Sequence, residues 1–394
     1  MKNTLGNELT VTVFGESHGP AIGCVIDGLP SGARIDQERL NYDMGLRRAA
    51  GKISTARKEA DEVKFLSGVR DGIIEGTPLA LIIENTNVRR KDYDEILHLA
   101  RPGHADYAAE MRYKGYQDAS GGGHFSGRLT APLTAAGSIV RKLLEDKGIL
   151  IASHIKELHG IKDDPLLEHN IRETMAMLNT KAFPVLSERV EIMMKSMIED
   201  AAKKKDSVGG ILETVVCGME PGIGEPMFGA LESDLSAALF AIPAVKGVEF
   251  GEGFGFSDLY GSEANDRFTM FHDSIATITN HNGGINGGIS NGMTIRFNTC
   301  IKPTPSIAKP QFTVDFKKKE NTEIRIRGRH DPAIIHRARI VVESVTALVL
   351  ADALASAHGR QWLEKKNEAR ADRISPGPQL VAGDSPLLPE GRLL

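Results

Sequence analysis

The segment TVFGESHGP, residues 12–20, sets Glu16, Ser17 and His18 between two glycines, after an apolar run that predicts a strand. An acid, a hydroxyl and an imidazole in a row admit three chemistries. They suit the Ser/His pair of a hydrolase, a metal site, or a histidine that moves a proton for another partner. On an extended segment, adjacent side chains point to opposite faces, which argues against a direct Ser17–His18 relay. Three more histidines sit in similar breaks: His104 in RPGHAD (101–106), His124 in GGGHFSG (121–127) and His330 in RGRHDP (327–332). A lone loop histidine is usually just solvated or hydrogen bonded. Four of them, each beside Gly, Pro or an acid, mark loops of the kind that carry chemistry. His18 and His104 are the general acid/base candidates. A His-only metal site would require two or three of these to converge, and no metal is expected.

Arginines form a second set: Arg47 and Arg48 at a predicted helix end, Arg57, Arg101 before Pro-Gly-His, Arg128 after the triple glycine, then Arg329 and Arg337. Singly, each reads as surface charge. Grouped beside the same loops, they predict a pocket for a small polyanion, because the guanidinium fork matches phosphate and carboxylate. The turn KPTPS (Lys302, Pro303, Thr304, Pro305, Ser306) is stiffened by two prolines. Its amine, hydroxyls and backbone suit a phosphate, and a plain strand-ending turn is an equal alternative.

These residues need a scaffold. The 394-residue chain has 48 Lys+Arg and 52 Asp+Glu, a net charge of −4. That balance argues against a nucleic-acid binder and leaves room for a local basic pocket. Cys24, Cys217 and Cys300 show no CxxC spacing and read as reduced, buried residues of a cytosolic protein. The start carries no long apolar h-region and the chain no unbroken run of 18 apolar residues, so neither signal peptide nor membrane span is expected. P-loop, HExxH and strand-linked GxGxxG patterns are absent from the sequence. Glycine, at 41 residues, gathers at 121–127, 251–257 and 281–292. Three such clusters with polar neighbours favour ligand binding over flexible loops.

Strands are predicted at 8–14, 21–28, 62–85 (two, with a turn), 209–219, 292–303 and 322–329. Helices are predicted at 35–48, 130–148, 185–207, 232–242 and 338–360, the last apolar enough to lie buried against a sheet. No internal linker stands out. The reading is one α+β unit with insertions over 1–367, followed by a Pro- and Gly-rich tail, 368–394, expected to be mobile or loosely docked.

Taken together and in order, FGESHG (14–19), RPGHAD (101–106), GGGHFSGRLTA (121–131), AVKGVEFGEGF (244–254), GGINGGISNG (283–292), KPTPS (302–306) and GRHDP (328–332) resemble the chorismate synthase family. The resemblance implies a single large β-α-β sandwich, with helices between antiparallel sheets, assembled as a cytoplasmic homotetramer. It implies conversion of 5-enolpyruvylshikimate 3-phosphate to chorismate and phosphate by 1,4-anti elimination with reduced FMN, the last step of the shikimate pathway. Reducing power from NADPH or from a separate flavin reductase are both left open. By position in the motifs, His18 would protonate the departing phosphate and His104 would protonate or hold the reduced flavin. Asp331 would help remove the proton that the flavin takes. Arg47, Arg48, Arg101, Arg128 and Lys52 would hold the substrate. His124, Phe125, Ser126, Pro243, Ala244, Gly287, residues 302–306 and Arg329 would contact the flavin. Two places depart from the family pattern. Many members carry Arg-Ser-Ser where this chain has His124-Phe125-Ser126, and Lys52 stands near a family arginine. A flavin- or phosphate-binding protein without catalysis, and a flavin-free phosphohydrolase using Ser17 and His18, are the alternatives.

Overall fold

Two long apolar helices form the middle layer, and their meeting explains a glycine. In Thr130–Glu145, Gly137 faces Ser344 of Ile335–His358 so closely that a Cβ on it would lie 2.2 Å from the Ser344 Cβ. Only a hydrogen at position 137 lets the two backbones approach this far. The computed structural model describes residues 3–49, 53–54, 61–86, 97–326 and 330–364. Lys52, Arg57, Arg329 and the tail 368–394 lie outside them.

A five-stranded antiparallel sheet covers one side of the helices, in the order Thr4–Leu5, Thr10–Gly15, Ala21–Asp27, Leu79–Glu84, Lys64–Ser67. A second lies on the other side, in the order Val245–Phe250, Ile295–Ile301, Gly210–Cys217, Leu150–Leu158, Ile161–Lys162. The helix Thr130–Glu145 touches strands of both sheets, and Gln37–Arg47 and Leu231–Phe240 pack beside the central pair. The architecture is therefore α+β, helices between antiparallel sheets. Ile22, Leu81, Ala135, Leu348, Leu212 and Phe297 belong to one continuous buried cluster through all three layers.

The helix Ile335–His358 is long and apolar enough to cross a bilayer by length and composition, and 78% of its most apolar window is buried inside the protein. It serves as a core helix. Its Asp352 carboxylate accepts from the backbone N–H groups of Asn7, Glu8 and Leu9 at 2.7–3.0 Å, fastening the first strands to the last helix. A buried ion-pair chain threads the same layer. Arg141 bridges Asp43 (3.1 Å) and Glu343 (2.9 Å), Arg339 reaches Glu343 (3.3 Å), and Arg39 joins Asp43 and Glu145. The cysteines depart from expectation in one case: Cys24 and Cys217 are buried, and burial pushes the Cys24 thiol up to about 12, but Cys300 is exposed.

Candidate active site

The turn at 16–19 corrects the expectation about Ser17 and His18. Gly19 N–H donates to Glu16 C=O (3.1 Å), so the chain turns immediately after the strand Thr10–Gly15. Side chains that diverge on an extended strand converge on a turn, and Ser17 Oγ lies 2.9 Å from His18 Nδ1. The hydroxyl also sits 3.3 Å from the carbonyls of Ser120 and Gly121, which can only accept. Both residues are buried, His18 at 4% exposure, with its imidazole packed under Gly121. Gly121 has φ +63°, and a Cβ there would lie 2.1 Å from His18 Cε1. The first glycine cluster thus makes room for an imidazole. Ser17 N–H donates to Gly123 C=O (3.1 Å), and the His124 ring is 2.9 Å from Gly15 C=O, so the two loops interlock.

Above Gly121 opens a cleft of about 1120 Å³. Its wall gathers Arg47, Arg48, Arg101, His104, His124, Phe125, Ser126, Arg128, Pro243, Ala244, Lys302, Thr304, Pro305, Ser306, Asp331 and Arg337. Of the described residues singled out in the sequence, Glu16, Ser17, His18, Gly287, Pro303 and His330 do not line it. Gly287 sits in the turn of the 285–290 hairpin, and Pro303 packs instead over the backbone at Gly209. The glycine clusters at 251–257 and 281–292 also lie off the cleft. They ladder against each other and the neighbouring strand, with Glu252 N–H to His281 C=O and Gly251 N–H to Arg296 C=O. Backbone packing, not ligand approach, explains those two.

Carboxylates hold the cationic groups in place. Arg101 grips Asp106 through two bonds of 2.7 Å, and that pairing aims the loop before the helix Asp106–Tyr113. Asp61, 6% exposed, pairs with both Arg128 and Arg47. Arg337 donates to Asp331 at 2.5 Å. Lys302 Nζ donates to Gly103 C=O (2.7 Å), tying the 302–306 turn to the His104 loop. Burial first, and then the nearby Arg101 guanidinium, push His104 down to about 4, so it is neutral at pH 7. Its Nδ1 faces Pro102 C=O at 3.1 Å, so that nitrogen carries the proton and Nε2 is left as an acceptor. Ser126 caps the following turn by accepting from Arg128 N–H (3.2 Å), and Phe125 meets Tyr113 edge-on. Asp61, Asp106 and Asn85 were missed by the sequence reading.

A cleft that collects arginines, a neutral histidine and a carboxylate around a proline-stiffened turn suits a small anion with a flat partner. The comparisons decide the matter. A family model described as chorismate synthase matches residues 9–355. The chain belongs to the chorismate synthase family. It is 42% identical over 353 residues to a chorismate synthase of Dehalococcoides mccartyi strain BAV1, covering 89% of this chain and 96% of that one. It is 43% identical to that of Thermococcus kodakarensis over 349 residues (89% and 96%), and 44% identical to that of Methanosarcina barkeri over 353 residues (89% and 95%). A crystal structure of chorismate synthase superposes with a TM-score of 0.71 at 25% identity, covering 90% of this chain and 94% of its own. Membership makes the chain an enzyme, a lyase acting on phosphates at the final step of the shikimate pathway.

Proposed function

We propose that the cleft eliminates phosphate from 5-enolpyruvylshikimate 3-phosphate to give chorismate, with reduced FMN bound beside the substrate. The observation that carries this reading is the convergence of Arg47, Arg48, Arg101, Arg128, His104 and Asp331 on one cleft, with His18 directly beneath its wall. The substrate's phosphate and two carboxylates match that cationic set. The wall also fits a phosphorylated cofactor. Thr304 Oγ1 and Arg337 Nε are buried there and have no hydrogen-bond partner among the described residues. Bound reduced flavin supplies electron density to the allylic system; the protein positions, protonates and balances charge.

In this reading the arginines orient the substrate, and Asp61 and Asp106 hold three of their forks in register. His18 delivers a proton to the leaving phosphate. His104 enters neutral, and an anionic guest offsets the Arg101 and Lys302 charges, raising its pKa as the cleft fills. Asp331, held by Arg337, receives the proton removed from the substrate's ring. His124, Phe125, Ser126, Pro243, Ala244, Lys302, Thr304, Pro305 and Ser306 flank the flavin. Lys52 is read as a further anion contact and Arg329 as a further flavin contact. The enzyme works in the cytoplasm as a homotetramer, its flavin reduced by NADPH or delivered reduced by a separate reductase.

Anaerobic assay with photoreduced FMN tests this. The parent chain should release phosphate, and His18→Ala should lose roughly 10²–10⁴-fold in turnover while remaining folded. Parental turnover in that variant removes His18 from the mechanism. Flavin and substrate binding without phosphate release would mark a binding protein. The Ser17–His18 contact favours one other reading, a flavin-free phosphohydrolase. Phosphate release without flavin would establish it.

A further inference from the structure

We infer that Asn85 is a positioning residue that sets His18 and Arg128 in one register. Asn85 follows the strand Leu79–Glu84 and does not line the cleft. Its backbone N–H donates to Pro20 C=O (3.0 Å). Its side-chain Nδ2 donates to Glu16 C=O (3.0 Å) and Gly19 C=O (2.9 Å), the carbonyls that bracket Ser17 and His18. Its Oδ1 accepts from Arg128 Nε (3.1 Å). Carbonyl oxygens only accept and a guanidinium only donates, so the amide can face just one way. Both of its hydrogens and its oxygen are thereby committed. Arg128 passes the constraint on to Asp61, and Asp61 passes it to Arg47.

One amide therefore couples the turn that carries the candidate acid to two arginines on the anion-binding wall. Aspartate would keep an acceptor for Arg128 but turn a charged oxygen toward two carbonyls. Alanine would release both ends. The inference rests on the proposed roles of His18 and Arg128, and the two variants separate its halves.

Asn85→Asp and Asn85→Ala are compared with the parent in the same anaerobic assay, in the full-length chain. Asn85→Asp should lose roughly 10–100-fold in kcat with KM within about threefold, the signature of a displaced proton donor. Asn85→Ala should lose kcat similarly and also raise KM about fivefold or more, because Arg128 is released. A second readout needs no flavin or substrate. The His18 imidazole Cε1–H resonance, identified with His18→Gln, should shift in both variants, while that of His154 on the other sheet stays. An unmoved His18 resonance, or kcat and KM within about twofold of the parent in Asn85→Ala, overturns the inference. So does a fall in kcat matched by an equal fall in folded protein. A silent parent enzyme would instead defeat the proposed function, with the resonance test still deciding the role of Asn85.

Discussion

Two regions of this protein pair arginine with carboxylate, and they differ in where the pairing ends. Between the helices, Arg141, Arg339, Asp43 and Glu343 are each at most 2% exposed, and the network reaches the surface only through Arg39 and Glu145. On the cleft wall, Arg101–Asp106, Arg128–Asp61–Arg47 and Arg337–Asp331 border about 1120 Å³ of open space. The first arrangement excludes a guest and holds three helices in register. The second aims guanidinium forks at one. Identical chemistry is structural or functional according to what stands on the far side of the pair.

Breaking a sealed pair has the largest expected effect on stability. Arg141→Ala leaves Asp43 and Glu343 buried without their shared partner, and should cost about 3–5 kcal/mol in a denaturant titration. A loss under about 1 kcal/mol would mean that water reaches the network. The open region should respond oppositely. Arg101→Ala should raise KM by roughly 10–100-fold, as expected for losing a charge-assisted contact worth about 1.5–3 kcal/mol, and shift the denaturant midpoint little.

Acid separates the regions further. His104 is pushed down to about 4 and His336 to about 3, both by burial first and then by a neighbouring arginine, from an ordinary value of 6.5. Between pH 6.5 and 4 the unfolded chain binds protons that these rings refuse, so stability falls as pH falls, by at most about 1.4 kcal/mol per ring per pH unit. Urea midpoints at pH 7 and 5 measure it. An anionic cleft ligand should shrink the His104 share, which owes more to cleft charges, and that of His336 only through Arg337. Salt gives the smallest contrast. KM should climb a few-fold between about 50 and 500 mM salt as the cleft is screened, with the sealed network unaffected.

Legibility in the sequence followed the same division. Histidines and arginines beside glycine and proline could be picked out because their types advertise chemistry, and all the described ones named as arginine contacts line the cleft. Regular elements with a clean period, such as Gln37–Arg47 and Thr130–Glu145, were also readable. The strand Leu150–Leu158 and the helix Ile171–Thr180 were not predicted; the strand is buried along most of its length and lacks alternation. Asn85 and Asp61 were invisible for a different reason. Asn85 acts on residues 69 and 43 positions away, and nothing in ENTNV announces those partners. Ser17 and His18 were misjudged because an i, i+1 argument depends on the backbone, and a turn reverses it.

The grip of Asp352 on the amides of Asn7 to Leu9 has a consequence for biosynthesis. Strands near the N-terminus leave the ribosome hundreds of residues before the helix that anchors and covers them. Until that helix arrives, the first sheet has an uncovered apolar face and unpaired edges that invite association. Folding of such a topology is slow, because its decisive contacts join the ends of the chain. The cleft is completed only after translation of nearly the whole protein, so truncated products should be bound by chaperones rather than accumulate as partial enzymes.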